Sequence, residues 1–510
     1  MRKRTETIAT LNEEFDVAII GGGINGAVSA AALSAHGLKV VLFESNDFAS
    51  MTSQESSNMV WGGIKYLQDY EFSLVWKLCK SRNQLLKKYP NRIKQIPFFA
   101  VIGPTSPFSR GLGFAGTLAY WLFGRFQTHR PKVFSNSGIS KLLSVLNLDS
   151  ARGAIQYNDA ILLDNDSRFV YEFIKTAEGH GASVLNYVEV LDAHQSGDGW
   201  DISAQDKPGN ADLQVRAKVL INATGPYTRI LDDKLKLETT NQIVISKGVH
   251  LIVPRIETKE KVLAFFDNQS RLFYILPMHD RTVIGTTDTS VPDANVQVTD
   301  EDREFLLAQA NRCLNLSTPL VKNDIISERC GVRPLVIKGS ANLENVDWIS
   351  LSRKHVVELK KEQNAISIFG GKLTDCINIG DEVVHAVKKL GLPVKPAKHW
   401  FGEPSPQIPP SLVKKIQSFH PQIASELAEE LWRRHSNDAF KIVATWDISP
   451  KNAELIFDGL MFTFGELKYI AENEHVLHPE DLLRRRTPIA LLRSASEISG
   501  NQKLQSAINS

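Results

Sequence analysis

Features that would assign a function at once are scarce in this chain of 510 residues. Its four cysteines, Cys79, Cys313, Cys330 and Cys376, form no CxxC pair and no zinc-type spacing. We therefore expect reduced, unpaired thiols and no bound metal. The formal charge of +2 is near balance, which argues against a nucleic-acid-binding protein. No apolar segment follows the basic N-terminus, so no secretory signal is predicted.

Long hydrophobic runs are lacking as well. The longest nearly uncharged stretch, GLGFAGTLAYWLF between Arg110 and Arg125, is too short and too rich in glycine to predict a membrane span. It predicts a buried helix, and a helix lying in the membrane interface is the alternative. Hydrophobic residues make up 43% and charged residues 23%, as in an ordinary globular enzyme, and the length predicts two or three domains.

The most informative segment lies near the N-terminus. A strand (FDVAII), a glycine turn, an alanine-rich helix and a second strand (LKVVLF) lead to Glu44, which is the order of a dinucleotide-binding βαβ unit. Gly21 allows the tight turn, Gly23 lets the backbone approach a pyrophosphate, and Gly26 lets the helix pack closely on the sheet. The helix N-terminus would face the diphosphate, and Glu44 would accept hydrogen bonds from ribose hydroxyls. The motif does not separate FAD from NAD, but its position is typical of FAD proteins.

The rest of the chain divides by its hydrophobic periodicity. A βαβ-like stretch begins near residue 154, and two later strands end in the small-residue turns Ala223–Pro226 and Gly370–Lys372, so the nucleotide domain is predicted to be discontinuous. Residues 242–350 alternate with a period of two, which predicts an antiparallel sheet. Proline-rich segments then predict a linker before a helical region. The predicted ranges are 1–78, 151–240 and 350–395 for the nucleotide domain, 79–150 and 241–349 for the inserted sheet domain, and 396–510 for the helical domain.

Ten short motifs resemble one family when they are taken together and in order. They are GGGINGA (21–27), the DFAS-TS-SS block (47–57), GGIKYL-YEF (62–72), NATGP (222–226), SKGVH (246–250), IGTTDT (284–289), GVRPL (331–335), FGGKLT (369–374), FGELKY (464–469) and LLRRRT (482–487). Over essentially its whole length the chain resembles the FAD-dependent, aerobic-type glycerol-3-phosphate dehydrogenases.

This resemblance implies both a fold and an activity. The fold is α/β plus α: a discontinuous Rossmann-like FAD-binding domain of the glutathione-reductase or D-amino-acid-oxidase type, an antiparallel-sheet substrate cap and a helical C-terminal domain. The implied reaction is oxidation of sn-glycerol 3-phosphate, a phosphorylated polyol, to dihydroxyacetone phosphate by hydride transfer to FAD. Electrons then pass to quinone, or to oxygen in the oxidase branch. If quinone is the electron acceptor, we expect a cytoplasmic protein in peripheral contact with the inner face of the cell membrane. Whether the protein forms a homodimer is left open.

The resemblance also implies the site residues. The expected catalytic residues are Arg333, which contacts substrate, Lys372, near flavin and substrate, and His250, the candidate proton acceptor. Arg353 matches a further arginine of the family. The expected substrate contacts are Lys65, Tyr66, Arg333, Trp61, Thr374 and Asp375. The expected FAD contacts are Gly21, Gly23, Ile24, Asn25, Gly26, Glu44, Ser45, Thr52, Ser53, Ser57, Gly62, Gly63, Val188, Ala223, Gly225, Gly371, Lys372, Leu373 and Thr374.

Three departures from the family pattern concern the substrate. The family usually reads HGGxRY where this chain has Trp61 and Lys65, in the run WGGIKY. An indole has one donor and no acceptor, so Trp61 cannot act as an acid or base and would reshape the pocket. Lys65 keeps the positive charge of arginine but loses its two-pronged grip on phosphate. Asp375 replaces a threonine and would repel a phosphate dianion unless a cation such as Lys65 or Lys372 pairs with it.

These departures leave two alternatives to oxidation of glycerol 3-phosphate. One is a same-fold FAD oxidoreductase that acts on another polyol phosphate or on a hydroxy acid. The other is a flavin-binding protein of low activity that works through its helical domain as an interaction module. The retention of Arg333, Lys372 and His250 argues against the second alternative.

Overall fold

The computed structural model describes residues 3–149, 151–339, 354–397 and 399–508, so Arg353 lies outside the described residues. In chain order the strands are β1 Phe15–Ile20, β2 Val40–Phe43, β3 Met59–Val60, β4 Ile93–Val101, β5 Lys132–Phe134, β6 Ala154–Leu162, β7 Ser183–Leu185, β8 Val188–Ser196, β9 Gly199–Asp206, β10 Ala211–Asn222, β11 Asn241–Pro254, β12 Val262–Phe266, β13 Leu272–Met278, β14 Arg281–Gly285, β15 Thr289–Val291, β16 Ser327–Lys338, β17 Val356–Lys360, β18 Ala365–Phe369, β19 Leu455–Phe457 and β20 Leu460–Thr463.

Helices cover both sheets and form most of the C-terminal region. They are α1 Arg4–Ala9, α2 Ile24–Ala35, α3 Phe72–Lys88, α4 Arg110–Phe123, α5 Asn136–Leu142, α6 Asp166–Gly179, α7 Thr228–Lys234, α8 Asp300–Cys313, α9 Cys376–Lys389, α10 Pro410–Gln417, α11 Ala424–His435, α12 Ala439–Ile448, α13 Phe464–Asn473, α14 Ile489–Leu492, α15 Ala495–Gly500 and α16 Gln502–Ile508. None of these described helices is long and apolar enough to cross a membrane.

The first sheet is the nucleotide-binding type that the sequence predicts. Its strand order is β17-β18-β10-β1-β2-β7, and β8 and β9 extend it from β10. Strands β18, β10, β1, β2 and β7 are parallel to one another, whereas β17 and β9 pair antiparallel at β18 and β10. The Val- and Ile-rich runs of the parallel strands are buried beneath α2, α6 and α9. The strands come from three separate parts of the chain, which confirms the predicted discontinuous Rossmann-like fold.

The second sheet is mostly antiparallel and has the order β15-β11-β14-β13-β12-β4-β6-β3, with β16 on β11 and β5 on β6. Its strand β6 lies within the range predicted for the nucleotide domain, yet it pairs with β4 from Ala154 to Leu162. Nearly every residue of β6 is buried, so its sequence lacks the alternation that marks a half-exposed antiparallel strand. The domain boundaries themselves stay a prediction.

The C-terminal region is helical, as predicted, apart from the β19–β20 hairpin. It contacts the first sheet through a wide helical turn at Asp481–Arg486. Arg485 Nε lies 2.7 Å and Arg486 Nη1 2.8 Å from the buried Asp47 carboxylate. These charged hydrogen bonds fix the helical region against the loop that follows β2.

The prediction of a buried helix at residues 111–123 is wrong. Helix α4 turns Thr117 and Tyr120 inward, but Leu112 and Leu122 on other faces are 66% and 60% exposed. Because the helix carries apolar side chains around its whole circumference, hydrophobicity alone could not distinguish full from partial burial.

Candidate active site

The carboxyl ends of β2, β1 and β10 form one edge of the first sheet, and the predicted nucleotide residues lie there. The turn Gly21–Gly23 follows β1, Ala223 and Gly225 follow β10, and Gly371 follows β18. A Cβ on Gly26 would lie 1.8 Å from the Gly21 carbonyl oxygen, so only glycine lets α2 approach this turn. Such an edge, with its glycine turns, is where open parallel sheets bind dinucleotides.

Glu44 directly follows β2 and holds the glycine turn in place. Its Oε2 accepts a hydrogen bond from the Gly22 N–H at 2.7 Å, and its Oε1 accepts one from the Asn46 N–H at 2.9 Å. Burial raises the pKa of Glu44, although these two N–H groups oppose the rise. Ser45 is the next residue, and the Val188 N–H donates to the Glu44 carbonyl at 2.8 Å. These hydrogen bonds therefore join the glycine turn, the loop after β2 and the start of β8, where the adenosine end of the cofactor is expected.

Two side chains of the 52–57 loop bond it to the start of α2 and to β16. Ser53 Oγ accepts the Ile24 N–H at 2.9 Å, and Thr52 Oγ1 donates to the Val332 carbonyl at 2.9 Å. Asn25 Nδ2 donates to the Gly370 carbonyl at 2.9 Å. The first glycine turn, the 52–57 loop and the turn after β18 are therefore held together by direct bonds.

A cavity of about 310 Å³ opens from these loops toward the second sheet. It brings together thirteen of the expected site residues: Ile24, Thr52, Ser53, Ser57, Trp61, Lys65, Tyr66, His250, Arg333, Gly371, Lys372, Leu373 and Thr374. The remaining expected residues lie at the nucleotide edge or behind the cavity wall. We refer to this cavity as the substrate pocket.

Cationic side chains from different elements meet in the substrate pocket. Lys372 Nζ hydrogen-bonds the Tyr66 hydroxyl and lies 3.7 Å from the centroid of its ring. Arg333 Nη2 donates to Thr286 Oγ1 at 2.6 Å, and its Nη1 lies 3.3 Å from Asp288 Oδ1. The positive charges of Lys372, Arg333 and Lys65 suit an anionic substrate, because hydrogen bonds between oppositely charged groups are stronger than those between neutral groups.

His250 extends from β11 into the pocket and is 2% exposed. Its Nε2 lies 2.7 Å from Ser57 Oγ, and its Nδ1 has no hydrogen-bond partner among the described residues. Burial, and then the positive charges of Arg329 and Arg333, hold the pKa of His250 well below its usual range. The imidazole is therefore neutral at neutral pH and able to accept a proton.

The loop that carries Trp61 and Lys65 is anchored from behind. The Gly62 N–H points at both carboxylate oxygens of Asp159, each at 3.3 Å. Asp159 also accepts hydrogen bonds from Tyr120 Oη at 2.5 Å and Arg82 Nη1 at 3.1 Å, and all three side chains are buried. A Cβ on Gly62 would lie 2.3 Å from the Tyr120 hydroxyl. We call Arg82, Tyr120 and Asp159 the loop anchor.

Trp61 and Gly63 are fixed in the same loop. The Trp61 N–H donates to Thr374 Oγ1 at 2.9 Å, and its indole N–H reaches the Tyr157 hydroxyl at 3.4 Å. Gly63 has a φ of 81°, a conformation that favours glycine. Gly62 and Gly63 are expected to contact FAD. The structure also explains why each is glycine: a side chain at Gly62 would meet Tyr120, and Gly63 has a positive φ.

Asp375 lies behind the pocket wall rather than in its lining. Its Oδ2 pairs with His355 Nδ1 at 2.5 Å. Burial opposes ionisation of Asp375, but His355 and, to a smaller extent, the expected cation Lys372 hold the pKa of Asp375 below its usual range. Burial favours a neutral His355, but hydrogen bonds to Asp375 and Glu382 raise the pKa of His355 to about 9. The charge of Asp375 is thus compensated locally, which removes the expected repulsion of a phosphate dianion.

Sequence reasoning missed three groups in or behind the pocket. Arg271 and Glu55 line it, and Asp159 holds its loop. Burial raises the pKa of Glu55 to about 6, although Arg484 and Arg329 oppose the rise. Arg271 and Asp159 lie in or beside strands of the second sheet, away from any recognisable motif, so no local signal could have identified them.

Comparison with known proteins adds a family to this geometry. The model of the FAD-dependent oxidoreductase family matches residues 16–347, and that of the C-terminal domain of alpha-glycerophosphate oxidase matches residues 391–501. A glycerol-3-phosphate dehydrogenase of Pseudomonas aeruginosa is 29% identical over 514 residues, 98% of this chain and 96% of that protein. Glycerol-3-phosphate dehydrogenase 2 of Mycobacterium tuberculosis is 30% identical over 495 residues, 94% of this chain and 82% of that protein.

Solved structures agree in fold. The glycerol-3-phosphate dehydrogenase from Bacillus halodurans complexed with FAD superposes with a TM-score of 0.76 at 23% identity, covering 99% of this chain and 92% of that one. The FAD-bound L-alpha-glycerophosphate oxidase from Mycoplasma pneumoniae gives a TM-score of 0.57 at 17% identity, covering 77% and 98%.

Proposed function

This chain belongs to the family of FAD-dependent oxidoreductases, and from that premise we propose that it oxidises sn-glycerol 3-phosphate to dihydroxyacetone phosphate, with bound FAD supplying the hydride acceptor. The observation that carries the proposal is the substrate pocket. It joins a cationic cluster to a buried neutral histidine, next to the glycine turns of the nucleotide edge. The relatives at 29–30% identity over nearly the whole chain are glycerol-3-phosphate dehydrogenases.

The residues present fit FAD. The Gly21–Gly23 turn brings the N-terminus of α2, the positive end of the helix dipole, to the edge where a diphosphate would lie, and a Cβ on Gly26 would not fit against this turn. Gly225, with a φ of 60°, and Gly371, with a φ of 103°, have backbone conformations that favour glycine in the two neighbouring turns. Thr52, Ser53 and Ser57 then lie between this edge and the substrate pocket.

Substrate binding is assigned to the cationic cluster. Arg333 is oriented by Thr286 and Asp288, and Lys372 is oriented by Tyr66. Both cations are therefore held before substrate arrives, which limits the entropy lost on binding. Lys65 adds a third positive charge from the loop that the loop anchor holds.

Proton acceptance is assigned to His250. Oxidation of a secondary alcohol needs a group that takes the hydroxyl proton as the hydride leaves carbon. His250 is neutral, buried and in the pocket, and the Ser57 hydroxyl occupies the position at Nε2 that we assign to the C2 hydroxyl of substrate.

A substrate panel tests this assignment. FAD-loaded protein with an artificial electron acceptor should form dihydroxyacetone phosphate from glycerol 3-phosphate, and neither glycerol nor glycerol 2-phosphate should replace that substrate. Arg333→Gln should raise KM, while Arg229→Gln, which alters an exposed ion pair with Asp233, should not. Faster turnover of another polyol phosphate or a hydroxy acid would reassign the substrate. Such a result would mean that Trp61 and Lys65 change the shape and charge of the pocket enough to alter its specificity.

We further propose quinone as the electron acceptor and peripheral contact with the membrane where quinone resides. What supports this is an exposed apolar surface on α3, α4 and the turn after α4: Phe72, Trp76, Leu112, Leu122 and Phe126 are 47%, 40%, 66%, 60% and 56% exposed. The charged ends of Lys80 and Arg125 lie 5.7 and 5.8 Å from the centroid of the Trp76 ring. Apolar and aromatic side chains with adjacent lysine and arginine suit an anionic lipid surface.

A vesicle-binding assay tests whether this surface binds membranes or is an exposed protein surface without that role. The fraction of protein that sediments with anionic phosphatidylglycerol vesicles should fall at least fivefold when Leu112, Leu122 and Phe126 are changed together to asparagine. The matched control changes Ile230, Val321 and Ile448 to asparagine, since these are also exposed, at 65%, 55% and 85%, but lie elsewhere. Equal loss in both triple variants, or no binding by the unaltered protein, would refute the assigned surface.

A further inference from the structure

The C-terminal helical region reaches the loop that borders the substrate pocket. The turn at Asp481–Arg486 carries Arg484, which is buried. Its Nη2 donates to the Gln54 carbonyl and lies 3.2 Å from Glu55 Oε1. Because Glu55 is one of the residues that line the substrate pocket, a side chain of the helical region is bonded directly to the wall of that pocket.

The backbone of β16 fixes the place of Glu55. A Cβ on Gly331 would lie 2.5 Å from Glu55 Cβ, so the Glu55 side chain packs directly against a glycine of this strand. Glu55 Oε2 also accepts the Cys330 N–H at 3.1 Å. Residues two apart on a strand face the same side, so Glu55 covers the face of β16 that carries Arg333, about 7 Å further along.

The charge of Glu55 therefore bears on a cation assigned to substrate. The Glu55 side chain is 12% exposed, and a charge shielded from water acts over several ångströms. An ionised Glu55 without a partner would attract Arg333 and oppose the phosphate of a substrate. Arg329 also faces Glu55, but it pairs with Asp166 at 3.4 Å. The charge that compensates Glu55 is thus that of Arg484.

We propose that Arg484 is a positioning residue of the substrate pocket: it orients Glu55 and neutralises its charge, which leaves Arg333 to bind the phosphate of the substrate. This inference rests on the proposed function for the identity of that substrate. It gives the helical region a part in substrate binding, because the compensating charge comes from outside both sheets.

Loss of the compensating charge should appear in the pH dependence of KM. Burial raises the pKa of Glu55 to about 6, and Arg484 opposes that rise. In Arg484→Gln the pKa of Glu55 therefore rises further, so the carboxyl is neutral at pH 6 and ionises without its partner at higher pH. KM of the variant, divided by KM of the unaltered protein at the same pH, should increase at least fivefold between pH 6 and pH 9. A ratio that stays constant would overturn the proposal.

Further substitutions test whether Arg484 acts through Glu55. Adding Glu55→Gln to Arg484→Gln removes the carboxylate that has lost its partner, so KM at pH 9 should fall at least threefold from that of Arg484→Gln. Arg484→Lys keeps a positive charge and should show a smaller rise with pH than Arg484→Gln. If KM did not fall in the double variant, Arg484 would act by another route and the proposal would be wrong.

Glu55→Gln alone keeps the test decisive even if Arg484→Gln fails to fold. This change leaves the positive charge of Arg484 uncompensated beside the pocket wherever Glu55 would be ionised. KM relative to the unaltered protein should therefore decrease at least twofold between pH 5 and pH 8. A ratio that does not decrease would contradict the assigned charge pairing.

Arg493→Gln is the matched control. Arg493 is a buried arginine of the same helical region, and its Nη1 lies 2.9 Å from Asp280 Oδ2, a carboxylate outside the lining of the substrate pocket. The variant should lose stability in urea unfolding without a pH-dependent change in relative KM. The same rise as in Arg484→Gln would mean that a general loosening of the helical region sets KM, and the specific role of Arg484 would be refuted.

Binding of inorganic phosphate separates this proposal from the proposed reaction, because it needs no turnover. In equilibrium dialysis of radioactive phosphate against FAD-loaded protein, Kd of Arg484→Gln relative to the unaltered protein should increase at least fivefold between pH 6 and pH 9. If it does so while glycerol 3-phosphate leaves the flavin oxidised, the reaction is refuted and the role of Arg484 stands. If glycerol 3-phosphate is oxidised but neither relative KM nor relative Kd changes with pH, the role of Arg484 is refuted and the reaction stands.

Discussion

Replacing Tyr120 by phenylalanine should loosen the loop that carries Lys65 and Tyr66. The change removes only the hydroxyl that donates at 2.5 Å to Asp159, the carboxylate that receives the Gly62 N–H. All members of the loop anchor are buried, and Asp159 keeps Arg82 as its remaining ionic partner. The volume of the side chain is nearly unchanged, so packing should survive.

The magnitude follows from the charge of the acceptor. A hydrogen bond to a charged group contributes about 1.5–3 kcal/mol, so the variant should lose about 2 kcal/mol of stability. If about 1 kcal/mol of this must be recovered when substrate orders the loop, KM for glycerol 3-phosphate should rise about fivefold with little change in kcat.

The assay compares two tyrosines. Tyr89 is also buried, but its hydroxyl hydrogen-bonds the neutral Gly402 backbone amide rather than a carboxylate. Urea unfolding of FAD-loaded protein should show a loss of about 1 kcal/mol for Tyr89→Phe, without a KM change. If Tyr120→Phe lost stability but kept its KM, the loop anchor would be structural only. If Tyr120→Phe lost no stability, the assigned bond would be refuted.

Three further changes test other parts of the site. Gly26→Ala should yield flavin-free protein, since its Cβ would lie 1.8 Å from the Gly21 carbonyl, and a normal flavin content measured by absorbance would contradict the cradle. Trp61→His combined with Lys65→Arg should raise turnover of glycerol 3-phosphate, and unchanged kinetics would mean that the departures from the family pattern do not limit the reaction. For His355→Gln, the folded pKa of about 9 exceeds the ordinary 6.5, so the stability that His355 contributes is fully present below pH 6.5 and is lost as pH rises through 9. The gap in unfolding free energy between unaltered protein and variant should therefore shrink by up to about 3 kcal/mol across that range, and a constant gap would refute the pairing with Asp375.

Local signals predicted the nucleotide-binding half of the fold well. The segment from β1 to Glu44 places its turn, helix and acid within a few tens of residues, so the sequence contains the whole unit. Contacts between distant segments were not predictable in the same way. Asp159 meets Gly62 across 97 residues, and His355 meets Asp375 across the hairpin of β17 and β18. Strand β6 and helix α4 were misjudged because burial depends on what packs against an element as well as on its own residues.

The site shows the same division. The family motifs predicted the cluster of Arg333, Lys372 and His250, and the structure brings all three to one pocket. The His355 partner of Asp375 and the Asp159 acceptor of the Gly62 N–H emerged only from the three-dimensional contacts. Each depends on a residue supplied by another element, which composition and spacing do not reveal.

Anaerobic stopped-flow absorbance tests the central claim most directly. FAD-loaded protein mixed with glycerol 3-phosphate should lose its flavin absorbance near 450 nm in one turnover, with one equivalent of dihydroxyacetone phosphate formed, and Arg333→Gln should need far more substrate for the same rate. Dithionite should bleach both proteins equally. A flavin that dithionite reduces but glycerol 3-phosphate does not would contradict the proposed reaction.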